Sequence, residues 1–385
     1  MAMPSLELNR TGNILRQPSG YDAFIPHKLS EYDLNIQVDH KMIQLISEAD
    51  RALGELIGVT KTIPDPDLFV AFYVRKEALL SSQIEGTQCS LEEVLQIDEN
   101  VSEVKPVHEV VNYINAMNYG LDRLKELPMS LRLIHEIHKV LLSGVRGKEK
   151  VPGEYKRGQN WIGPPGCNLN EALFVPPPPN MMVELMGDWE KYYYANTNYT
   201  DLVKAGILHA HFETIHPYAD GNGRLGRLMI TFLLCEKKIL QAPLLYLSLF
   251  FKEHRSDYYR LLMDVRFKGG WEDWLHFFLR GVRNVSNEAA ETAHEIREMH
   301  NRHRALINEK LSRYKLAIPL YDLVCKNPII SISMAMKKLD TGYPTVKNAF
   351  TGLIEVGILK PHRMETKEKL FSYQDYLEVL KRGTN

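Results

Sequence analysis

Residues His216-Pro217-Tyr218-Ala219-Asp220-Gly221-Asn222-Gly223-Arg224-Leu225-Gly226-Arg227 gather an imidazole, a carboxylate, three glycines and two guanidinium groups in one short run. Strongly apolar stretches flank it, 202–215 before and 228–234 after. A polar cluster held between two greasy segments is costly unless it binds something polar. Pro217 disfavours helix at the residue before it, so His216 falls where the first helix ends. Gly221 and Gly223 allow backbone that turns successive N–H groups inward at the start of the next helix, a ready anion site. Arg224 and Arg227 share a face of that helix, and their forked donors suit two phosphate groups. Asp220 offers a hard oxygen for a Mg²⁺ bridging such phosphates. His216 is the neighbouring group that titrates near neutrality, suited to take a proton from an attacking hydroxyl.

Three other readings compete. Gly221-x-Gly223-x-x-Gly226 satisfies a dinucleotide-binding fingerprint, but that motif needs a preceding strand and a βαβ unit, and the preceding segment reads as helix. His209, His211 and His216 lie close in sequence, yet residues two apart on a helix point to nearly opposite faces. His135-Glu136-Ile137-His138 is one residue short of a zinc-binding pair. His135, His138, His209 and His211 are therefore read as ordinary core or surface histidines. A purely architectural loop would bring two arginines and an aspartate together with nothing between them. The phosphate reading is the one that uses every residue.

The elements that must carry this cluster are mostly helical. Apolar residues recur at helical spacing over 39–56, 68–85, 91–100, 107–127, 130–142, 181–194 and 202–215. Residues 151–179 differ, being rich in Gly, Pro and Asn with short extended pieces at 160–162 and 172–175. They read as a hairpin flap leading into a stiff proline run. The charged segment 284–314 reads as a solvated connecting helix. Beyond it come three short helices and a small hairpin, the order of a winged helix-turn-helix. The expected fold is mainly α, a helical core with a β-hairpin flap and a winged C-terminal domain.

Composition sets the remaining bounds. The chain has 385 residues, 44% apolar and 25% charged, with a formal net charge of -1. That balance argues against wholesale binding to nucleic acid or an anionic membrane. Four cysteines lack any CxxC spacing, which suits a reducing compartment. No basic stretch followed by an apolar run opens the sequence, and no apolar run approaches the ~20 residues of a spanning helix. A cytoplasmic protein without membrane association is expected.

The run from His216 to Arg227 resembles the signature of the Fic (Fido) family, HxFx(D/E)GNGRxxR, with Tyr218 in place of the usual Phe. The resemblance covers roughly residues 40–282. It implies a helical core with a flap and transfer of AMP from ATP to a Ser, Thr or Tyr hydroxyl of a protein. By position, His216 would be the base and Asp220 the Mg²⁺ ligand. Gly221, Asn222, Gly223, Arg224, Leu225, Gly226 and Arg227 would seat ATP, with Glu253 near the nucleoside. The flap would clamp the target segment by main-chain pairing. The intact Gly-Asn-Gly-Arg run disfavours the phosphorylating branch of the family.

A second motif lies far upstream. Ser81 and Glu85 share a face at the end of a helix, and Gly86 follows where a left-handed cap belongs. A glutamate in the last turn opposes the helix dipole unless a cation meets it. Ser81-Ser82-Gln83-Ile84-Glu85-Gly86 also resembles the family's inhibitory motif (S/T)xxxE(G/N), which implies that Glu85 pairs with Arg227 and blocks ATP seating. The expected domains are 1–128, a helical region with the inhibitory helix at about 68–86; 129–282, the catalytic core; 283–315, the connecting helix; and 316–385, the winged-helix-like domain. The last of these carries ten Lys plus Arg against seven Asp plus Glu, a net +3, modest for DNA binding. Two alternatives stay open: a nucleic-acid-binding regulator with a silent core, and an enzyme that removes AMP. A protein substrate, the chain itself included, is the expected partner; a homodimer with a second copy of the chain and DNA at the last domain stay open.

Overall fold

The computed structural model describes residues 10–63, 65–95, 105–144, 151–164, 166–362 and 369–382. The chain opens with an antiparallel hairpin, β1 (Gly12–Arg16) and β2 (Asp22–Pro26). Then come α1 (His40–Thr60), α2 (Pro66–Ile84), α3 (Leu91–Leu95), α4 (Lys105–Arg123) and α5 (Leu131–Leu141). After an irregular stretch follow α6 (Met182–Tyr194), α7 (Asp201–Ile215), α8 (Asn222–Glu236), α9 (Ser248–Glu253), α10 (Arg255–Lys268) and α11 (Trp271–Lys310). The C-terminal part comprises α12 (Ala317–Lys326), β3 (Ile329–Ser331), α13 (Ile332–Leu339), α14 (Tyr343–Glu355), β4 (Lys360–His362), β5 (Leu370–Ser372) and α15 (Gln374–Lys381). Its three strands form one sheet in the order β3-β5-β4.

Local chemistry sets the helix starts. Asp39, Asp65, Ser130 and Thr200 each accept a backbone N–H of the first turn of α1, α2, α5 and α7 with their side chains. The central element is α7, in which every residue from Leu202 to Ile215 is buried. A helix apolar nearly all round must be covered on all sides, and α6, α8, α10 and α11 pack around it. Trp189 and Trp274 donate their indole N–H groups to the α7 carbonyls of Leu208 and Gly206, at 3.0 and 2.9 Å. A Cβ at Gly206 would stand 3.0 Å from Leu275 and Phe278, so glycine lets α11 lie close against α7.

Three expectations change. The first 128 residues read as helical, yet 12–26 form a hairpin, tied into the fold where Phe24 N–H donates to Val175 O at 2.9 Å. Among the described residues the flap is irregular chain closed by one antiparallel bridge, Ile162 to Phe174. The connecting helix is no separate element: α11 runs unbroken across the expected boundary at 282/283. Nor is it solvated all round, because Val285, Ala289, Ala290, Ala293, Ile296 and Met299 are buried and the helix lies along α1. Of the helix expected at 91–100, the part beyond Leu95 lies outside the described residues.

Candidate active site

The signature forms the turn between α7 and α8. His216 caps α7 in the left-handed region, φ 50°, donating its N–H to Phe212 O. Such backbone costs a non-glycine residue roughly 1–2 kcal/mol and persists only when its surroundings fix it. Several groups do so here. Asn160 Nδ2 donates to Tyr218 O at 2.8 Å and to His216 O at 3.3 Å. Lys156 N–H donates to Pro217 O, and the Lys156 ammonium holds Asn160 Oδ1 at 2.6 Å. The Tyr218 hydroxyl meets His135 Nδ1 at 2.9 Å and its ring stacks on His138 at 3.8 Å. His138 Nδ1 accepts from Gly153 N–H, so its Nε2–H donates to Asp220 O at 3.0 Å. Burial pushes His138 down to about 4, which keeps it in this single neutral tautomer. His135 and His138 are thus braces of the loop, as is Asn160, none of which the sequence marks.

Gly221 caps α8 at φ 76°, where glycine carries no Cβ penalty. Gly223 matters for a different reason. Its φ is ordinary, but a Cβ there would overlap Glu85 Oε1. Arg227 is buried and grips the end of α2. Its Nε donates to Ser81 Oγ at 2.8 Å, and its Nη2 to Ser81 O at 3.0 Å and Glu85 Oε1 at 2.7 Å. Burial alone would weaken this guanidinium's hold on its proton, yet Glu85, with Tyr258, Tyr259 and Glu213 around it, raises its pKa overall. A carboxylate therefore rests on the backbone of Gly223, at the mouth of the nest, in contact with an arginine of the signature. Arg224 is buried too, its Nε and Nη1 without a hydrogen-bond partner among the described residues; Glu109 and Asp220 lie 3.6 and 3.8 Å away.

A cleft of about 550 Å³ opens beside the nest, reached by Glu85, Glu213, His216, Gly223 and Arg227 on one side and Arg255, Tyr258, Tyr259 and Arg266 on the other, with Trp161 and Leu173 of the flap above. His216 keeps 19% of its side chain exposed. Desolvation first, then the nearby Lys156 and Arg266 charges, depresses it to about 3, so its imidazole is neutral. His209 spans Gly226 O and the Tyr258 hydroxyl, at 3.1 and 2.9 Å. No group of three or more His, Cys, Asp or Glu suited to a metal occurs among the described residues, which sets aside the zinc reading.

Of the residues expected to seat ATP, four have side chains, or in Gly226 a Cα face, committed elsewhere. The Asn222 amide is turned inward, bracketing Tyr218 by its N–H and C=O, so it fixes the loop. Leu225 is fully buried core. Gly226 faces Glu213, which a Cβ would overlap. Glu253 ends α9 exposed and does not line the cleft; Arg255, whose Nη2 donates to Ile84 O, and Tyr259 line it instead. Asp220 Oδ1 accepts Gly221 N–H at 2.7 Å, which fixes its carboxylate beside the nest. One hard oxygen next to a phosphate seat fits Mg²⁺, which takes one or two carboxylates and draws other ligands from substrate phosphates and water.

These features define a helical fold in which the signature forms the turn into α8 and the Glu85 carboxylate of the same chain meets its second arginine. The Fic/DOC family N-terminal model matches residues 43–122 and the Fic/DOC family model matches residues 128–234. Across these two stretches, together just under half of the chain, it is similar to the Fic/DOC family. It is 30% identical over 184 residues to a probable protein adenylyltransferase of Aquifex aeolicus, covering 45% of this chain and 52% of that one. It is also 30% identical over 173 residues to the protein adenylyltransferase Fic of Drosophila willistoni, covering 43% and 29%. The chain thus spans about half the length, or less, of these curated relatives. A Fic family protein from Desulfovibrio desulfuricans G20 shares the fold, with a TM-score of 0.61 at 22% identity over 89% of this chain and 98% of that one.

Proposed function

We propose that the protein transfers AMP from ATP to a hydroxyl side chain of a protein and that Glu85 holds it in a low-activity state. The observation that carries this reading is the Glu85 carboxylate seated on Gly223 and bonded to Arg227. An anion seat that the chain itself must plug is built for a competing anion, and the named relatives are protein adenylyltransferases. In this reading the α7–α8 nest and Arg224 hold phosphate oxygens. Arg227 holds the terminal phosphate once Glu85 leaves. The neutral His216 takes the proton of the target hydroxyl. That oxygen bonds to the α-phosphorus while the bond to the β-phosphate oxygen breaks, and pyrophosphate departs. Negative charge from the bound triphosphate raises the proton affinity of His216, which the closed cleft keeps low. Asp220 would hold Mg²⁺, which when bound neutralises charge developing on the phosphates.

The flap edge near Trp161 and Leu173, both exposed, suits a target segment laid alongside it. Residues 316–385 we read as a winged helix-turn-helix recognition module, from the order of α12, α13, α14 and the β3-β5-β4 sheet. The four cysteines are all free, in keeping with a reducing, cytoplasmic setting, and no described helix is long and apolar enough to cross a membrane. Intact-mass analysis after incubation with ATP and Mg²⁺ tests the chemistry. A gain equal to AMP is expected, absent in His216→Ala, which keeps ATP binding. A phosphate-sized gain, or labelling by His216→Ala, refutes the assignment.

A further inference from the structure

One buried carboxylate at the cleft has no role in the reading above. Glu213 lies on α7 one turn before His216, with 7% of its side chain exposed. Its Oε1 has no hydrogen-bond partner among the described residues. Its Oε2 stands 3.9 Å from His216 Nδ1, which makes no well-formed hydrogen bond among the described residues and has only the Glu213 main chain beside it. The backbone is arranged to admit this carboxylate: any side chain at Gly226 would overlap Glu213 Oε1. The main chain of Glu213 is fixed as well, because Arg266 Nη2 donates to its carbonyl at 2.9 Å while the Arg266 guanidinium lies over the Phe174 ring of the flap at 4.1 Å. Backbone and flap are thus locked around a carboxylate whose Oε1 has no hydrogen-bond partner among the described residues.

Burying an unpaired carboxylate is expensive, and a fold keeps one only where something repays it. A turn of the Glu213 side chain closes the 3.9 Å gap to a hydrogen bond and breaks none, since Oε1 has none to lose. Catalytic hydrogen bonds are often long before substrate binds. We propose that Glu213 positions the general base: its carboxylate accepts the Nδ1–H of His216, so that Nε2 carries the lone pair toward the target hydroxyl, and it stabilises the imidazolium that forms. The logic is that of an acid–histidine pair in which the carboxylate orients and is never itself the proton acceptor. Glu213 is a positioning residue, not a catalytic one, and the inference rests on the AMP-transfer reading.

The charges facing Glu213 couple this role to the brake. Desolvation raises it to about 7; Arg227 and Arg266 pull it down, while Glu85 pushes it up. His216, Tyr258 and Tyr259 also face Glu213, and Lys156 stands beside His216. Removing the Glu85 carboxylate therefore favours ionised Glu213 as it frees Arg227.

The test uses the full chain carrying Glu85→Gly, so that turnover is high enough to measure. Adding Glu213→Ala should lower kcat for AMP transfer about tenfold or more, within the roughly 10²–10⁴ that general base catalysis supplies in all, with KM for ATP unchanged. The isosteric Glu213→Gln, which keeps an acceptor but no charge, should fall between and should move the acid limb of the kcat profile to lower pH. A kcat within twofold in both variants overturns the inference, as does a rise in KM matching the loss in kcat, which would place Glu213 in ATP seating. If the Glu85→Gly chain with Glu213 intact transfers no AMP, the functional reading itself fails.

Discussion

Replacing Glu85 by glycine removes one hydrogen bond and one charge pair and leaves Arg227 its two bonds to Ser81. The size of the effect follows from burial at the two ends. Fully exposed ion pairs are worth about 0–1 kcal/mol, whereas breaking a buried one costs about 3–5 kcal/mol. Here the Arg227 side chain is 2% exposed and that of Glu85 37%. An intermediate figure of about 2 kcal/mol is appropriate, which corresponds to roughly 30-fold in the balance between plugged and open seat. Initial rates of AMP incorporation from labelled ATP should therefore rise about 30-fold in Glu85→Gly. Glu85→Gln, which keeps the shape but not the charge, should give an intermediate rise. The added glycine beside Gly86 lies at a helix end, so the melting temperature should change little. A rise below threefold with KM for ATP unchanged would refute the idea that this carboxylate competes for the phosphate seat.

Asp220→Ala should leave the fold intact and abolish the Mg²⁺ dependence of transfer along with most of its rate, read by titrating Mg²⁺ at fixed ATP; a wild-type Mg²⁺ curve would exclude Asp220 as its ligand. Stability should fall on acidification. Burial depresses His138 to about 4 and His209, His211 and His216 to about 3, so these four take up protons only on unfolding. The stability they contribute is complete above the ordinary histidine value near 6.5 and is lost as pH drops through it toward their folded values. Glu77 and Glu213, which desolvation raises to about 7, act oppositely, their protonated folded forms gaining as pH falls from 7 toward about 4.5. Four against two leaves a net uptake of roughly two protons on unfolding between pH 5 and 6, about 2.7 kcal/mol per pH unit, to which His135, His300 and His303, also depressed by burial, add in the same direction. Thermal melts at pH 5, 6 and 7.5 check this, and a Tm that is flat or higher at pH 5 contradicts it.

Features whose cause is local could be read from the sequence. Ser130 caps its helix through its own side chain, Pro217 ends α7 at His216, and Gly221 supplies the positive φ the nest needs. Glu85 and Arg227 lie far apart in sequence, yet one clue is local: a glutamate at the wrong end of a helix dipole asks for a cation. What the sequence does not expose depends on contacts made across the fold. Asn160, His135 and His138 brace the loop from the flap and from α5, and nothing in their own neighbourhoods distinguishes them from ordinary polar residues. The hairpin β1–β2 is held by pairing to Val175, a tertiary contact that short strands with weak alternation do not announce. Asn222 sits inside the motif but spends its amide on Tyr218, which spacing alone does not decide. Glu213 did carry a signal, as an acidic residue in a helix otherwise buried all round, where a carboxylate needs a reason.

The placement of the brake also limits how it can be released. α2 is buried along much of its length between Phe69 and Ile84, and its middle is pinned where Glu77 accepts bonds from Tyr113 and from both the N–H and hydroxyl of Ser248. Lifting the whole helix would unmake that buried network and expose its apolar side chains, at a cost far above the roughly 2 kcal/mol of the Glu85 contact. The half-exposed Glu85 side chain can instead swing outward alone, past a Gly86 whose φ is 92°. A tethered carboxylate competes at an effective concentration in the millimolar range, while the triphosphate offers more charge to the same arginines. In the proposed autoinhibited enzyme the seat would therefore change hands by rotation of one side chain, with α2 fixed behind it and ATP as the competitor.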